Sequence, residues 1–209
     1  MYLKTNVKLG EITNLSDARF AAGRGAQFAG FNLTPNHEKY IAPENVQEII
    51  GWLDGPKLVG EWNSGIAEII SDTAERLQLH YIQLNFLDID LGSKLQEWNI
   101  IQNLHIDQPV EMLLKQIDAV QHFTHTFMLS FAEPEKQESF LANDVNVQKL
   151  ASLCSDYPVL LNFQFTEENL LPVLEKLNPF GINLKGDDEI KPGYKDFDEL
   201  NNIIDLLEE

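Results

Sequence analysis

Cysteine is almost missing from this chain of 209 residues: Cys154 stands alone, so an intrachain disulfide is impossible. That fits a reducing compartment, and inside the helix-like stretch 145–155 the thiol suits packing better than catalysis. Basic charge is scarce as well. Fifteen Lys and Arg face 33 Asp and Glu, a formal net charge of −18. Such a balance disfavours nucleic acid and anionic membrane surfaces as partners, and its plainest meaning is a solvated acidic coat. No apolar run approaches bilayer-spanning length and no basic-then-apolar leader opens the chain, so a cytoplasmic location is expected. Linkers, low-complexity tracts and a second composition regime are also missing. The expectation is one domain over 1–209 with a sizeable core.

What is present is alternation. Short apolar runs suited to a buried parallel sheet occur at Asn6–Leu9, Gln27–Leu33, Lys57–Trp62, Tyr81–Leu84, Ile100–Ile106, His122–Leu129, Pro158–Phe163 and Gly181–Leu184. Amphipathic helices lie between them. Val46, Ile49, Ile50 and Leu53 repeat at i, i+3, i+4, i+7, as do Leu200, Ile203, Ile204 and Leu207. Ile66, Ile69, Ile70, Thr73, Ala74 and Leu77 mark another. Asp107 before Pro109, and Thr166 before Glu167 and Glu168, read as helix starts. The polar, irregular stretch 131–145 reads as the sixth βα loop. Eight strand–helix pairs predict an α/β fold, a closed (β/α)8 barrel, with an open doubly wound sheet as the alternative.

In a barrel of this kind the working residues lie at the C-terminal ends of the strands. Asn32, Asn63, Asn85, Asn162, Gln164 and Lys185 fall there and suit a small polar ligand. Glu61, in an otherwise apolar strand, is expected to form a buried structural pair with Lys8. His122 and His125 with His105 and Asp107 are the one conceivable metal cluster. Their spacing matches no zinc pattern, and strand alternation sets His122 and His125 on opposite faces, so no metal is expected.

The segment Val7-Lys8-Leu9-Gly10-Glu11-Ile12-Thr13-Asn14, with Asp17-Ala18, Gly23, Gly25-Ala26 and Gly30-Phe31, resembles the opening βαβ unit of the phosphoribosylanthranilate isomerase family. That family reads V-K-I-C-G-I-T-N there. Lys39-Tyr40-Ile41-Ala42-Pro43 resembles its S-P-R-Y-V-S-P, with Lys39 in place of an arginine that contacts substrate. Val59-Gly60-Glu61-Trp62-Asn63 is similar to V-G-V-F-x-N, and Pro192-Gly193-Tyr194-Lys195-Asp196 to P-G-x-K-D. The resemblance implies a barrel and places Lys8 in the first strand facing inward.

It also implies where chemistry belongs, and there the residues differ. The family's general base is the cysteine, and Gly10 holds its place, with Glu11 in place of the following glycine. Its general acid is an aspartate ending strand six, where this chain reads Phe127-Met128-Leu129-Ser130-Phe131. Q-L-H-G-D/E becomes Gln83-Leu84-Asn85-Phe86-Leu87. Of the two phosphate turns, L-A-G-G-L becomes Leu161-Asn162-Phe163-Gln164-Phe165, and D-V-S-S-G-V-E becomes Asn183-Leu184-Lys185-Gly186-Asp187-Asp188-Glu189. Three consecutive carboxylates beside a dianion are unfavourable.

The expectation is a barrel without isomerase activity, repurposed to hold a small polar molecule or a protein partner, with no cofactor. The alternative is a divergent isomerase of tryptophan biosynthesis with Glu11 as base and Asp107 as acid. Gly10, Asn85, Asn162, Gln164 and Lys185 are expected to ring one cavity, narrowed by Phe86 and Phe163.

Overall fold

The computed structural model describes residues 2–106, 110–185 and 197–209. Strand β1 (Asn6–Gly10) leads into α1 (Leu15–Gly23), and β2 (Phe28–Asn32) into α2 (Pro43–Ile50). The series continues with β3 (Lys57–Trp62), α3 (Ala67–Arg76), β4 (Tyr81–Leu84), α4 (Ile89–Lys94), β5 (Ile100–His105) and α5 (Val110–Val120). After β6 (Thr124–Ser130) come two helices, α6 (Lys136–Leu141) and α7 (Asp144–Asp156). Strand β7 (Val159–Asn162), α8 (Leu170–Leu177), β8 (Gly181–Lys185) and α9 (Asp198–Asp205) complete the order.

All eight strands are parallel and each pairs with its sequence neighbours, and β8 returns to β1 with Asn6 opposite Gly181 and Gly10 opposite Lys185. The sheet is therefore a closed barrel, and the open-sheet alternative is excluded. The expected strand positions hold to within about two residues. Two expectations need correction. The stretch 131–145 is not a bare loop, because it contains α6 and the first turn of α7, started by Asn143 Oδ1 accepting from the N–H groups of Val145 and Asn146. Strand β6 starts at Thr124, which leaves His122 in the turn before it.

Several residues behind the resemblance have fold-forming roles. Asn14 Oδ1 accepts the Asp17 N–H at 2.9 Å, and Asp17 Oδ2 accepts the Thr13 N–H at 3.2 Å, a reciprocal cap that starts α1. Thr166 and Asn169 cap each other in the same manner ahead of α8, and a hydrogen bond from the Thr166 hydroxyl holds the Glu168 carboxyl below its usual range. Cys154 is buried on α7, and desolvation pushes its thiol up to about 12, which fits packing and not nucleophilic use.

The barrel holds two distinct cores. The larger lies between strands and helices and includes Val7, Leu9, Phe31, Ile82, Leu84, Ile100, Phe127 and Leu161. A second cluster of Phe28, Val59, Ile101, Met128 and Leu160, with Tyr81 against it, plugs the interior. Two residues further along these strands the inward positions turn polar, so the plug is the floor of whatever opens above it. No helix among the described residues is long and apolar enough to cross a membrane.

Candidate functional site

Above the apolar floor, at the C-terminal ends of the strands, lies a cavity of about 350 Å³. Its walls alternate by strand parity. Gln83 and Asn85 come from β4 and the residue after it, Asn103 and His105 from β5, Ser130 from β6, Asn162 from β7, Asn183 and Lys185 from β8. Glu11, His37, Glu38, Glu61, Asn63, Met128, Phe131 and Ala132 complete the described lining.

Four of the eight expected ligand residues are in this lining: Asn63, Asn85, Asn162 and Lys185. Two more sit just behind it. Lys8 is fully buried, ion-paired with Glu61 and donating to Asn183 Oδ1 at 2.9 Å. Asn32 is fully buried and donates to Asn63 Oδ1 at 3.4 Å. The inward Lys8 and the Lys8–Glu61 pair are as expected from the sequence.

Lys39 and Gln164 are corrections. Lys39 is outside the described lining, where its neighbours His37 and Glu38 stand instead. Gln164 is not in this lining but in that of the adjoining cleft, which also includes Asn162, Asn183 and Lys185, and its backbone is held by α6: its N–H donates to Gln137 Oε1 at 2.7 Å, and Gln137 Nε2 donates back to its carbonyl at 2.8 Å. The narrowing aromatics are corrected too. Phe86 is not in the described lining, and Phe163 is buried against Phe131 at 5.2 Å, so Phe131 is the ring that reaches the cavity. Asp107 lies outside the described residues, as do Gly186–Glu189 and Pro192–Asp196. The histidines do not gather: His105 stands at the mouth, while His125 accepts the Ile100 N–H at 3.2 Å at the opposite end of the barrel. No metal-type cluster occurs among the described residues.

Gly10 is decisive for the chemistry. A Cβ built there would come within 2.9 Å of Lys8 Nζ, 3.0 Å of Glu61 Oε1 and 3.1 Å of Asn183 Oδ1. A Cβ on Gly30 would overlap Glu61 Oε1 outright. The carboxylate of Glu61 therefore fills the space beneath both glycines, and the ammonium of Lys8 neutralises it there. The next residue, Glu11, has φ +55°, the left-handed region that a side chain rarely adopts. Its N–H donates to Glu61 Oε2 at 3.3 Å, and its carboxylate accepts from Lys185 at 2.8 Å. The turn keeps a glycine's backbone while carrying a glutamate. Glu11→Gly should consequently be more stable than Glu11→Ala by about 0.5–1 kcal/mol. Both lose the carboxylate, so comparing their urea midpoints isolates the backbone strain.

On the far wall Ser130 Oγ donates to Asn103 Oδ1 at 2.9 Å and lies 3.0 Å from His105 Nδ1. Beyond β7 the ring series Phe131–Phe163–Phe165 occupies the turn, with centroids 5.2 and 6.1 Å apart. A cleft of about 640 Å³ between the ends of β7 and β8 has Phe163, Phe165, Leu200, Ile203 and Glu199 among its described lining. The Gln164 N–H, which such a turn would offer to an anion, is already spent on Gln137.

No family model matches the chain. Curated full-length relatives do. The N-(5'-phosphoribosyl)anthranilate isomerase of Gloeothece citriformis is 28% identical over 209 residues, covering 96% of this chain and 93% of that protein. The isomerase of Aquifex aeolicus is 25% identical over 207 residues, with 95% and 96% covered. Among solved structures, the Thermotoga maritima isomerase superposes with a TM-score of 0.80 at 25% identity, over 96% of this chain and 97% of that one. The Thermus thermophilus isomerase gives 0.78 at 24%, with the same coverage. The chain is similar over nearly its whole length to phosphoribosylanthranilate isomerases and shares their barrel. Among the described residues, its departures at Gly10, Asn85 and Ser130 fall at the mouth, while matches such as Asn14 and Asp17 form the cap of α1.

Sequence reasoning passed over Gln83, Asn103, Ser130 and Asn183 as site residues, and weighed His105 only as a metal ligand. A signal existed: Gln83 and Asn85, Asn103 and His105, and Asn183 and Lys185 are pairs two apart at strand ends, the parity of one barrel face.

Proposed function

We propose that this barrel does not isomerise phosphoribosylanthranilate and instead holds a small polar molecule at its mouth. The observation that carries this reading is the closure around Gly10: the space beside it belongs to the Lys8–Glu61 pair and Asn183, and no titratable side chain projects from that position. The isomerisation needs a base and an acid on opposite sides of the sugar. Ser130 closes β6, the strand end where the resemblance puts the acid, and it is tied to Asn103.

The ionic groups support the same reading. Lys185 is the only Lys or Arg in the described lining, and Glu11 engages it. Glu61 is paired with Lys8 and Glu38 adds a further carboxylate, so no cation of the described lining is left over for a phosphate dianion. Neutral amides remain as the binding groups, at a cavity size within the range of small-molecule sites.

Complementation tests the proposal. A tryptophan auxotroph lacking the isomerase, expressing this chain at levels confirmed by immunoblot, is expected to stay unable to grow without tryptophan. Growth sinks the reading.

A further inference from the structure

The amides of the mouth are not interchangeable donors and acceptors, because each chain of hydrogen bonds starts from a group that cannot be reversed. On one wall the Thr34 backbone N–H donates to Asn32 Oδ1 at 3.0 Å, so Asn32 presents its Nδ2 to Asn63 Oδ1. Asn85 Nδ2 donates to the same Asn63 oxygen at 3.0 Å, which leaves Asn85 Oδ1 to accept from Gln83 Nε2 at 2.7 Å. The relay ends on Gln83 Oε1. That oxygen is buried, has no hydrogen-bond partner among the described residues, and belongs to a side chain 2% exposed that lines the cavity. Turning the Gln83 amide over would set oxygen against oxygen at Asn85.

The other wall runs from Lys8, which can only donate. Its ammonium fixes Asn183 Oδ1 as acceptor, so Asn183 Nδ2 donates to Asn162 Oδ1 at 3.0 Å and the Asn162 Nδ2 is turned outward as a donor. The lining thus carries a buried, unpaired acceptor on β4 and, on β7, an amide whose oxygen is taken and whose nitrogen remains as a donor.

We infer that the mouth takes an uncharged, phosphate-free polyol of about monosaccharide size, one hydroxyl of which donates to Gln83 Oε1 while another accepts from Asn162. The inference rests on the reading of the mouth as a small-molecule site and goes further by naming the ligand's chemistry. A hydroxyl is both donor and acceptor, so one polyol satisfies both walls. A buried acceptor left unpaired is costly, which makes Gln83 selective for a ligand that brings it a proton. Phosphate is opposed because Lys185, the one Lys or Arg of the described lining, is already engaged by Glu11, and Lys8 by Glu61, while Glu38 adds a further carboxylate. A flat heterocycle is opposed by the lining itself, in which Met128, Phe131 and Ala132 are the only apolar members among the described residues.

Calorimetric titration of the purified full chain with ribitol, D-ribose, D-ribose 5-phosphate and uracil tests this. Ribitol or ribose should bind, with the 5-phosphate weaker by about tenfold or more. Gln83→Met and Asn162→Ala should each weaken the neutral ligand by about tenfold while the thermal melt stays cooperative. A 5-phosphate that binds as well as ribose, or uracil binding without polyol binding, overturns the polyol class and leaves the small-molecule reading standing. Unchanged affinity in both variants overturns the placement on Gln83 and Asn162. Silence from all four probes overturns the class. Silence in a ligand-observed magnetic-resonance screen of neutral and charged small molecules as well takes the mouth reading down with it.

Discussion

Purified protein is expected to convert phosphoribosylanthranilate no faster than buffer. A general base and a general acid are each worth about 10²–10⁴ in rate, so losing both sets turnover about 10⁴–10⁸ below a complete isomerase. Gly10→Cys alone should restore nothing, because the new Cβ meets Lys8 Nζ at 2.9 Å and Glu61 Oε1 at 3.0 Å, and the ion pair must move to admit it. Adding Ser130→Asp supplies an acid and still leaves the turn after β7 closed by Phe163 and by the Gln137 clamp. Steady-state assays at micromolar protein check this directly. Turnover within about a hundredfold of a complete isomerase, abolished by Glu11→Gln or Glu61→Gln, would establish a relocated base and revive the divergent-enzyme reading.

The second large effect lies in the ion pair itself. Lys8→Met leaves Glu61 buried beneath Gly10 and Gly30 with its counter-charge gone, since both side chains are at most 2% exposed. Removing one partner of a buried pair costs about 3–5 kcal/mol. For a chain of this length that lowers Tm by about 6–20 °C, at about 2–4 °C per kcal/mol. Lys8→Met/Glu61→Leu should recover most of the loss, because no uncompensated charge then remains in the barrel. A double-mutant cycle by thermal and urea unfolding at neutral pH measures the coupling. A single variant that costs less than about 1 kcal/mol would mean that water or a rearranged amide solvates Glu61, and the closed network described here would be wrong.

The two predictions share one cause. The Lys8–Glu61 pair is a folding element placed where the resemblance locates a catalytic one. Its ammonium also sets the direction of the Asn183–Asn162 relay. On the proposed reading of the mouth, stability and ligand recognition are coupled through Lys8, and Lys8→Met should disturb both.

Much of the barrel was legible from pattern and resemblance together. Eight short apolar runs alternating with amphipathic helices left a closed barrel or an open sheet, and the resemblance favoured closure and set Lys8 inward. The buried pairing of Lys8 with Glu61 was legible for the same reason, since a charge on an inward position of a closed barrel needs a partner. The stretch 131–145 was not legible as helix. Its sequence, Phe131-Ala132-Glu133-Pro134-Glu135-Lys136 onward, has polar composition and an early proline, and α6 owes its place to Gln137 grasping the Gln164 backbone 27 residues away.

The site divides along the same line. Sequence by itself determined which strand ends carry amides, and that no cysteine or aspartate stands at the positions matching the family's base and acid. Tertiary structure alone decided that Gln164 lines the neighbouring cleft with its backbone held by α6, that Phe131 replaces Phe86 and Phe163 as the ring at the cavity, and that Glu11 is spent on Lys185. It also decided the direction of every amide. An asparagine reads the same in sequence whichever end it offers, and only a fixed donor held against it, the Thr34 N–H or the Lys8 ammonium, makes one end oxygen and the other nitrogen.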